Sequence, residues 1–261
     1  IVINQPSTYP ARRINGVMVS GFVAIDLSRS VYPPALFTTL EQMGYQIDVD
    51  SGKVAENPAL LWPELSKTMA SHQKALNYFW EQDWDFFEFV ITGTDRLHHF
   101  LWSSYEDKSH PAHQAFLDFY QQIDRIIAKI IASFKKLNES EENLFILSDH
   151  GFTGIIQEVY LNAWLQKEGY LSFTTPCPKT LNDISPESVA FALDPNRIYL
   201  NLDNKFPAGH VSRGQKKELK SEIAQKLLQL EYNGQKVIRQ VFKVEEVYKG
   251  KYTALGPDLL V

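Results

Sequence analysis

The sequence predicts an α/β fold in which a parallel sheet is covered by helices. Strand-like apolar segments alternate with amphipathic helical segments between residues 15 and 148, and this alternation is typical of a parallel sheet. The segment 144–148 is apolar enough to be covered on both faces, as strands of parallel sheets are. With 261 residues and 44% hydrophobic content, the chain can form one large domain or two small ones.

The segments on which this prediction depends lie in the first part of the chain. We predict strands at residues 15–26, 86–93 and 144–148, and helices at residues 33–45, 62–82 and 112–137. Proline near the start of the first two helices and glycine near the end of the first suit helix boundaries. The third helix has apolar residues at separations of three and four, or beside those positions, which predicts a stripe facing a core. These residues are Phe116, Phe119, Ile123, Ile126, Ile127, Ile130, Ile131 and Phe134.

The composition of the chain changes after residue 172. A polar connector with three prolines leads into a strand-like segment at 196–202, a helical segment at 214–230 and a mixed segment at 236–248. We therefore predict an α/β core over residues 1–172 and a smaller α+β portion or cap over residues 173–255. The apolar stretch 256–261 is predicted to begin a strand that returns to the core.

Net charge and cysteine content limit the classes of partner. The formal net charge is −5, with acidic and basic residues intermixed, so we expect no binding to nucleic acid or to an anionic membrane surface. A phosphate-bearing substrate would need local positive charge, such as that of metal ions. The only cysteine is Cys177, which excludes an internal disulfide and agrees with a reducing compartment, so we expect the cytoplasm.

Two polar clusters follow apolar segments of the predicted sheet. Asp95 and His99 are four residues apart after the segment 86–93, and Asp149 and His150 are adjacent after the segment 144–148. Ligands of open parallel sheets bind beyond the carboxyl ends of the strands. If a helical turn follows the first strand, Asp95 and His99 share one face and can close on one ion. We therefore expect all four side chains to converge on one crevice.

The residue types in the two clusters point to divalent metal ions. Aspartate oxygen and neutral histidine nitrogen suit zinc, and also manganese or iron. Two clusters suggest two ions, and a pair of ions about 4 Å apart can clamp a phosphoryl group. The sequence alone leaves a plainer reading open, because either cluster by itself can be a turn former or a helix cap. His98 points away from His99 in any regular structure, so it is predicted to lie behind the ligands or at the surface.

Several stretches together resemble the alkaline phosphatase superfamily, in its type I phosphodiesterase/nucleotide pyrophosphatase branch. These stretches are "TYPARRINGVMVSGF", "TGTDRLHHFLW", "ILSDHGF", "VYLNAWLQKEGYL", "FALDPNRIYLNL" and "GPDLLV". The resemblance covers nearly the whole chain. It implies an alkaline-phosphatase-like fold and metal-dependent hydrolysis of phosphoesters, with phosphodiester or nucleotide pyrophosphate bonds as the expected substrates.

The resemblance also implies roles for the four residues. Asp149 and His150 would bind the metal ion that activates the nucleophile, and Asp95 and His99 would bind the second ion. A further metal-binding aspartate and a Thr or Ser nucleophile are expected upstream of Ile1, and a last metal-binding histidine is expected downstream. The chain is thus expected to be incomplete at both ends and inactive in isolation, and no catalytic residue is assigned within it.

Two alternatives accompany this reading. A phosphomutase of the same superfamily would use the same two-metal core but return the phosphoryl group to its substrate. A noncatalytic binding domain would keep the fold without the chemistry. A sulfatase is unsupported, because Cys177 is followed directly by Pro178 and not by the Cys-x-Pro-x-Arg motif of that group.

Overall fold

The computed structural model describes residues 1–6, 8–138 and 142–261. These residues form two compact units, Ile1–Gly154 and Ile155–Val261, which we call the first and the second unit. Each unit contains a sheet, helices and hydrophobic core residues. The predicted mixed α/β class is confirmed.

The first unit contains the helices and strands that position the predicted site. Its strands are β1 (Val2–Gln5), β2 (Met18–Ser20), β3 (Val31–Tyr32) and β4 (Glu88–Phe89), and its helices are α1 (Leu36–Gln42), α2 (Ser51–Glu56), α3 (Leu61–Trp80), α4 (Gly93–Glu106) and α5 (His113–Asn138). The helices predicted at 33–45, 62–82 and 112–137 correspond to α1, α3 and α5. The strands predicted at 15–26 and 86–93 are present but shorter, as β2 and β4.

The sheet of the first unit is mainly parallel, as predicted. Its strand order is β3-β2-β1-β4. The central strand β1 runs parallel to both β2 and β4, whereas β3 is antiparallel to β2. The carboxyl ends of β1, β2 and β4 therefore emerge at the same edge of the sheet. Helix α4 follows β4 directly at this edge.

Helix α3 is buried on two sides. Ala75 and Phe79 pack with residues of the sheet, whereas Leu65 and Met69 belong to a second core cluster with residues of α4 and α5. The predicted apolar stripe of α5 is confirmed at Phe116, Phe119, Ile123, Ile126 and Phe134, which are all buried. Gly93 allows the close approach of α4 to α5, because a Cβ atom at this position would lie 2.9 Å from Cζ of Phe119.

The strand predicted at residues 144–148 is not formed. These residues have no strand pairing, and the side chains of Phe145, Ile146 and Leu147 are 78%, 62% and 88% exposed. Apolar content favours a strand, but a strand also needs a neighbour for its backbone N–H and C=O groups. No strand in the described part of the chain provides that neighbour. The segment therefore leads to Asp149 and His150 without being part of the sheet.

The second unit is built around an antiparallel sheet. Its helices are α6 (Leu161–Lys167), α7 (Arg213–Leu228) and α8 (Val244–Val247), and its strands are β5 (Ala190–Asp194), β6 (Arg197–Leu200), β7 (Glu231–Tyr232), β8 (Gln235–Lys236), β9 (Phe242–Lys243) and β10 (Leu259–Leu260). The four strands of the main sheet have the order β5-β6-β10-β9. Strands β7 and β8 form a separate hairpin.

The second unit includes residues 155–172, which are predicted to belong to the α/β core, and residues 256–261, which are predicted to return to it. Leu161, Leu165 and Leu171 are buried in the hydrophobic core of the second unit, so this unit begins before residue 172. The predicted returning strand at 256–261 corresponds to β10, which pairs with β6 and β9 of the second unit. Burial of Leu259 in that same core accounts for this pairing.

Asp258 is a buried carboxylate at the start of β10. Its side chain is 1% exposed, and it accepts a hydrogen bond of 2.9 Å from the backbone N–H of Leu200. The ammonium group of Lys216 lies 2.7 Å from Oδ1, and that of Lys205 lies 3.9 Å from Oδ2. The two cations and the N–H group compensate the burial of the negative charge.

We predict that Asp258→Ala lowers the free energy of unfolding of the second unit by about 3–5 kcal/mol, because it leaves partly buried cations unpaired. Asp194→Ala is the matched control, since Asp194 is a more exposed carboxylate of the same unit, paired with Arg197 at 3.3 Å. The control should cost about 1 kcal/mol or less. Urea unfolding followed by hydrogen exchange of second-unit amides measures both values. Equal losses would contradict the role given to Asp258.

His72 of α3 is a neutral histidine buried in the first unit. Its side chain stacks on Tyr45 with ring centroids 5.1 Å apart, and its Nε2 lies 2.7 Å from the backbone carbonyl oxygen of Gln46. A carbonyl oxygen only accepts, so Nε2 carries the proton and donates. Burial lowers the pKa of His72, and the hydrogen bond to Gln46 and the charge of Asp48 offset part of this effect.

We predict that this burial makes the first unit sensitive to acid. The unfolded chain binds a proton at His72 near pH 6.5, whereas the folded chain resists protonation until a lower pH. The stability provided by neutral His72 is therefore complete above pH 6.5 and is lost as the pH falls through that value towards the folded-state pKa. His72→Gln should reduce the difference between the urea midpoints at pH 7.5 and pH 5.5. His210→Gln, at an exposed position of the second unit, should leave that difference unchanged.

None of the helices in the described ranges is both long enough and apolar enough to span a membrane.

Candidate metal centre

The first predicted cluster lies on one face of α4. Asp95 is in the first turn of this helix, where a negative charge interacts favourably with the helix dipole. His99 follows one turn later, and its Nε2 lies 3.4 Å from Oδ1 of Asp95. The spacing of four residues therefore places Asp95 and His99 side by side on one helical face, as the sequence predicts.

The second predicted cluster lies beside the first. Nε2 of His150 is 3.8 Å from Oδ1 of Asp95 and 3.6 Å from Oδ2 of Asp149. The structure thus brings all four predicted residues together, although the second cluster does not lie at the end of a strand. The side chain of Asp95 is 30% exposed, those of His99 and His150 are slightly more than half exposed, and that of Asp149 is 88% exposed. The group is accessible to solvent and to a substrate.

Phe152 holds the second cluster against α4. Its ring centroid lies 4.9 Å from that of His98, 5.1 Å from that of His99 and 5.3 Å from that of Trp102. The backbone of Gly154 also packs closely against α4, because a Cβ atom at this position would lie only 3.2 Å from Trp102. Aromatic packing therefore places the Asp149–His150 turn beside Asp95 without any strand pairing.

The hydrogen bonds of His150 leave one ring nitrogen available. Nδ1 lies 2.8 Å from the carbonyl oxygen of Gly151, so Nδ1 carries the proton and Nε2 presents its lone pair. This hydrogen bond, together with the negative charges of Asp149 and Asp95, raises the pKa of His150. A proton therefore competes for Nε2 at a higher pH than it does in an ordinary histidine.

His98 does not join the group. Its Nε2 lies 2.5 Å from the hydroxyl oxygen of Tyr120, and its ring stacks on Phe116 and contacts Phe152. Burial lowers the pKa of His98. The side chain therefore packs behind the site and supports Phe152.

The donors fit divalent metal ions in chemical type and supply part of a coordination shell. Carboxylate oxygen and imidazole nitrogen are ligands of zinc and manganese. Within the described residues, no group of three or more His, Cys, Asp or Glu side chains is arranged to hold an ion by itself. The candidate ligands therefore form two pairs, Asp95 with His99 and Asp149 with His150. Each pair needs further donors to complete the coordination of an ion.

Two residues important to this geometry were missed by sequence reasoning. Phe152 directly follows the Asp-His-Gly stretch, and this position next to two candidate ligands is the sequence feature that could have indicated its role. Arg96 stands between Asp95 and His99, and its side chain contacts Asp95 and the distant Asp48. No sequence pattern connects Arg96 with Asp48, because the two are brought together only by folding.

Comparison with known families identifies the family of the chain. A family model described as type I phosphodiesterase / nucleotide pyrophosphatase matches residues 11–260. The chain belongs to the type I phosphodiesterase/nucleotide pyrophosphatase family, which fits the predicted branch of the alkaline phosphatase superfamily. Comparison with curated proteins and with solved structures gives no match. Membership indicates an enzyme of phosphoester hydrolysis, in a family that is generally metal-dependent.

We predict that the two neighbouring histidines of α4 differ in their effect on metal binding. His99→Ala should weaken Mn²⁺ binding by at least about tenfold, because it removes a candidate ligand. His98→Phe is the matched control and should change the affinity little, because it keeps a ring packed against Phe152 and because Nε2 of His98 is engaged by Tyr120. Isothermal titration with Mn²⁺, with thermal unfolding as a check on folding, measures both. Equal losses in the two variants would contradict the assignment of His99.

Proposed function

We propose that this protein hydrolyses phosphodiester or nucleotide pyrophosphate bonds at a site for two divalent metal ions. Asp95 and His99 would hold one ion, and Asp149 and His150 would hold the other. The observation that supports this proposal is the convergence of two clusters, distant in sequence, on Oδ1 of Asp95. Family membership indicates the class of reaction, and the four side chains indicate where in the chain we propose the site.

The charge of the site supports the use of metal ions. The carboxylates of Asp95 and Asp149 lie together in a chain of net charge −5, and they would repel a phosphoryl group. When bound, two divalent ions neutralise charge on phosphoryl oxygens and lower the pKa of a coordinated hydroxyl. Zinc is the ion we expect from the mixed oxygen and nitrogen donors, with manganese or iron as alternatives.

The residues of the chain have distinct tasks in this proposal. Helix α4 presents Asp95 and His99 from one rigid face. The hydrogen bond from Nδ1 of His150 to Gly151 directs Nε2 towards the shared space. Asp149 is highly exposed and can reach an ion with little displacement of the core. The resemblance implies a Thr or Ser nucleophile, and we assign that role to no residue of this chain.

The proposed substrate is a small phosphoester. Mixed surface charges and the negative net charge disfavour the phosphate backbone of a nucleic acid. The exposed free thiol of Cys177 suits a reducing compartment, and we propose the cytoplasm as the place of action.

The proposed site is tested by Asp149→Ala. In a metal-loaded form of the protein that includes the nucleophile, this variant should lower the turnover of an aryl phosphodiester by about a hundredfold or more, because a candidate metal ligand is lost. The same variant should weaken binding of Zn²⁺ and Mn²⁺ and leave thermal unfolding nearly unchanged, since its side chain is 88% exposed. Asp194→Ala, at a surface ion pair of the second unit, is the control and should retain both properties. Near-normal turnover of Asp149→Ala at unchanged metal content would refute the proposal.

A further inference from the structure

Arg96 forms a largely buried ion pair on the inner side of α4. The residue is 8% exposed, and its Nε donates a hydrogen bond of 2.8 Å to Oδ2 of Asp48. Nη2 donates to the same oxygen. Oδ1 of Asp48 accepts hydrogen bonds from the backbone N–H of Val49 at 2.9 Å and from the hydroxyl of Thr92 at 3.3 Å. These contacts fix both the carboxylate and the guanidinium group.

The third nitrogen of the guanidinium group faces Asp95. Nη1 of Arg96 lies 3.4 Å from Oδ2 of Asp95, whereas Oδ1 of Asp95 lies nearest to His99 and His150. The two oxygens of Asp95 therefore have different environments. Phe22 covers the guanidinium group, with Cζ of Arg96 4.4 Å from the ring centroid, and this limits the access of water to the contact.

The contact between Asp95 and Arg96 does not follow from their positions in the helix. Adjacent residues of an α-helix point in different directions and do not face each other. The arginine side chain reaches back to Asp95 while its other two nitrogens are bound to Asp48. Asp48 lies before α2, far from Asp95 in sequence. The position of Asp48 thus determines where the guanidinium group of Arg96 lies.

We propose that Arg96, held by Asp48, is the positioning residue for Asp95, and that it retains Oδ2 so that Oδ1 is presented to a metal ion. This inference rests on the proposed function, because it assumes that Asp95 is a ligand. Hydrogen-bonded partners of ligating carboxylates orient them and affect metal affinity. Arginine suits the task, because its planar group can serve two carboxylates at fixed angles, whereas the lysine ammonium cannot reproduce this geometry.

The test is Arg96→Lys, measured by isothermal titration of the chain with Mn²⁺. The affinity should fall by about ten- to a hundredfold, while Arg197→Lys, which changes the exposed pair with Asp194, should have no effect. In an Asp95→Asn background, Arg96→Lys should cause no further loss, because its effect acts through Asp95. Unchanged affinity in Arg96→Lys, or an equal loss in both backgrounds, would overturn the inference.

A purely structural role of Arg96 is distinguished by spectroscopy. The visible absorption spectrum of bound Co²⁺ should change in Arg96→Lys, because Asp95 then meets the ion in a different orientation. A group that only stabilises α4 would lower the melting temperature and leave that spectrum unchanged in the folded protein, and this result would also overturn the inference.

A second variant covers the case in which Arg96→Lys fails to fold. Asp48→Asn keeps a hydrogen-bond acceptor for Arg96 but removes the charge that holds the guanidinium group. Arg96 is then held less firmly and positions Asp95 less well, so the Mn²⁺ affinity should fall. A folded Asp48→Asn variant with wild-type affinity would overturn the inference.

Failure of this inference is separable from failure of the proposed function. If Asp95→Asn alone leaves Mn²⁺ affinity unchanged, Asp95 is not a ligand, and both proposals are wrong at this residue. If Asp95→Asn weakens binding and Arg96→Lys does not, the ligand assignment stands and only the positioning role of Arg96 is wrong.

Discussion

The parallel pairing of β1 with both of its neighbours is the constraint on which the candidate site depends. This strand lies between β2 and β4 and runs in the same direction as both. The segments that follow β2 and β4 consequently leave the sheet at one edge. Phe22, just after β2, covers Arg96 in α4, just after β4. With an antiparallel β4, α4 would begin at the opposite edge of the sheet.

Electrostatics at this edge suggest an order of binding. Asp48 and Asp95 share the single guanidinium group of Arg96, and Asp149 adds another carboxylate near His150. Three carboxylate side chains face one guanidinium group here, so the edge attracts cations and repels phosphate. Under the proposed function, a divalent ion would therefore bind before an anionic substrate. The negative net charge of the chain is compatible with phosphoester chemistry on this basis.

Local features of the fold follow from sequence patterns, whereas long-range features depend on partners that are distant in the chain. The 3.6-residue periodicity identified α5, because Phe116 and Ile123 repeat on a face that really is buried. The spacing of Asp95 and His99 placed both on one helical face for the same reason. Apolar content predicts a strand at residues 144–148, yet a strand depends on a partner elsewhere in the chain. The pairing of Arg96 with Asp48 and the position of β10 also depend on distant partners, and no local pattern encodes them.

The contact of Phe152 with α4 has a consequence for chain entropy. Bringing His150 beside Asp95 closes a loop that includes the whole of α5, and the entropic cost of such closure rises only with the logarithm of loop length. Doubling the loop adds about 0.6 kcal/mol. Packing a half-buried phenylalanine contributes on the order of 1 kcal/mol, so one aromatic contact can offset a large change in the length of this connection. The number of residues between the two clusters is therefore a weak constraint on the site, and the aromatic residue just after the second cluster can offset a change in that number.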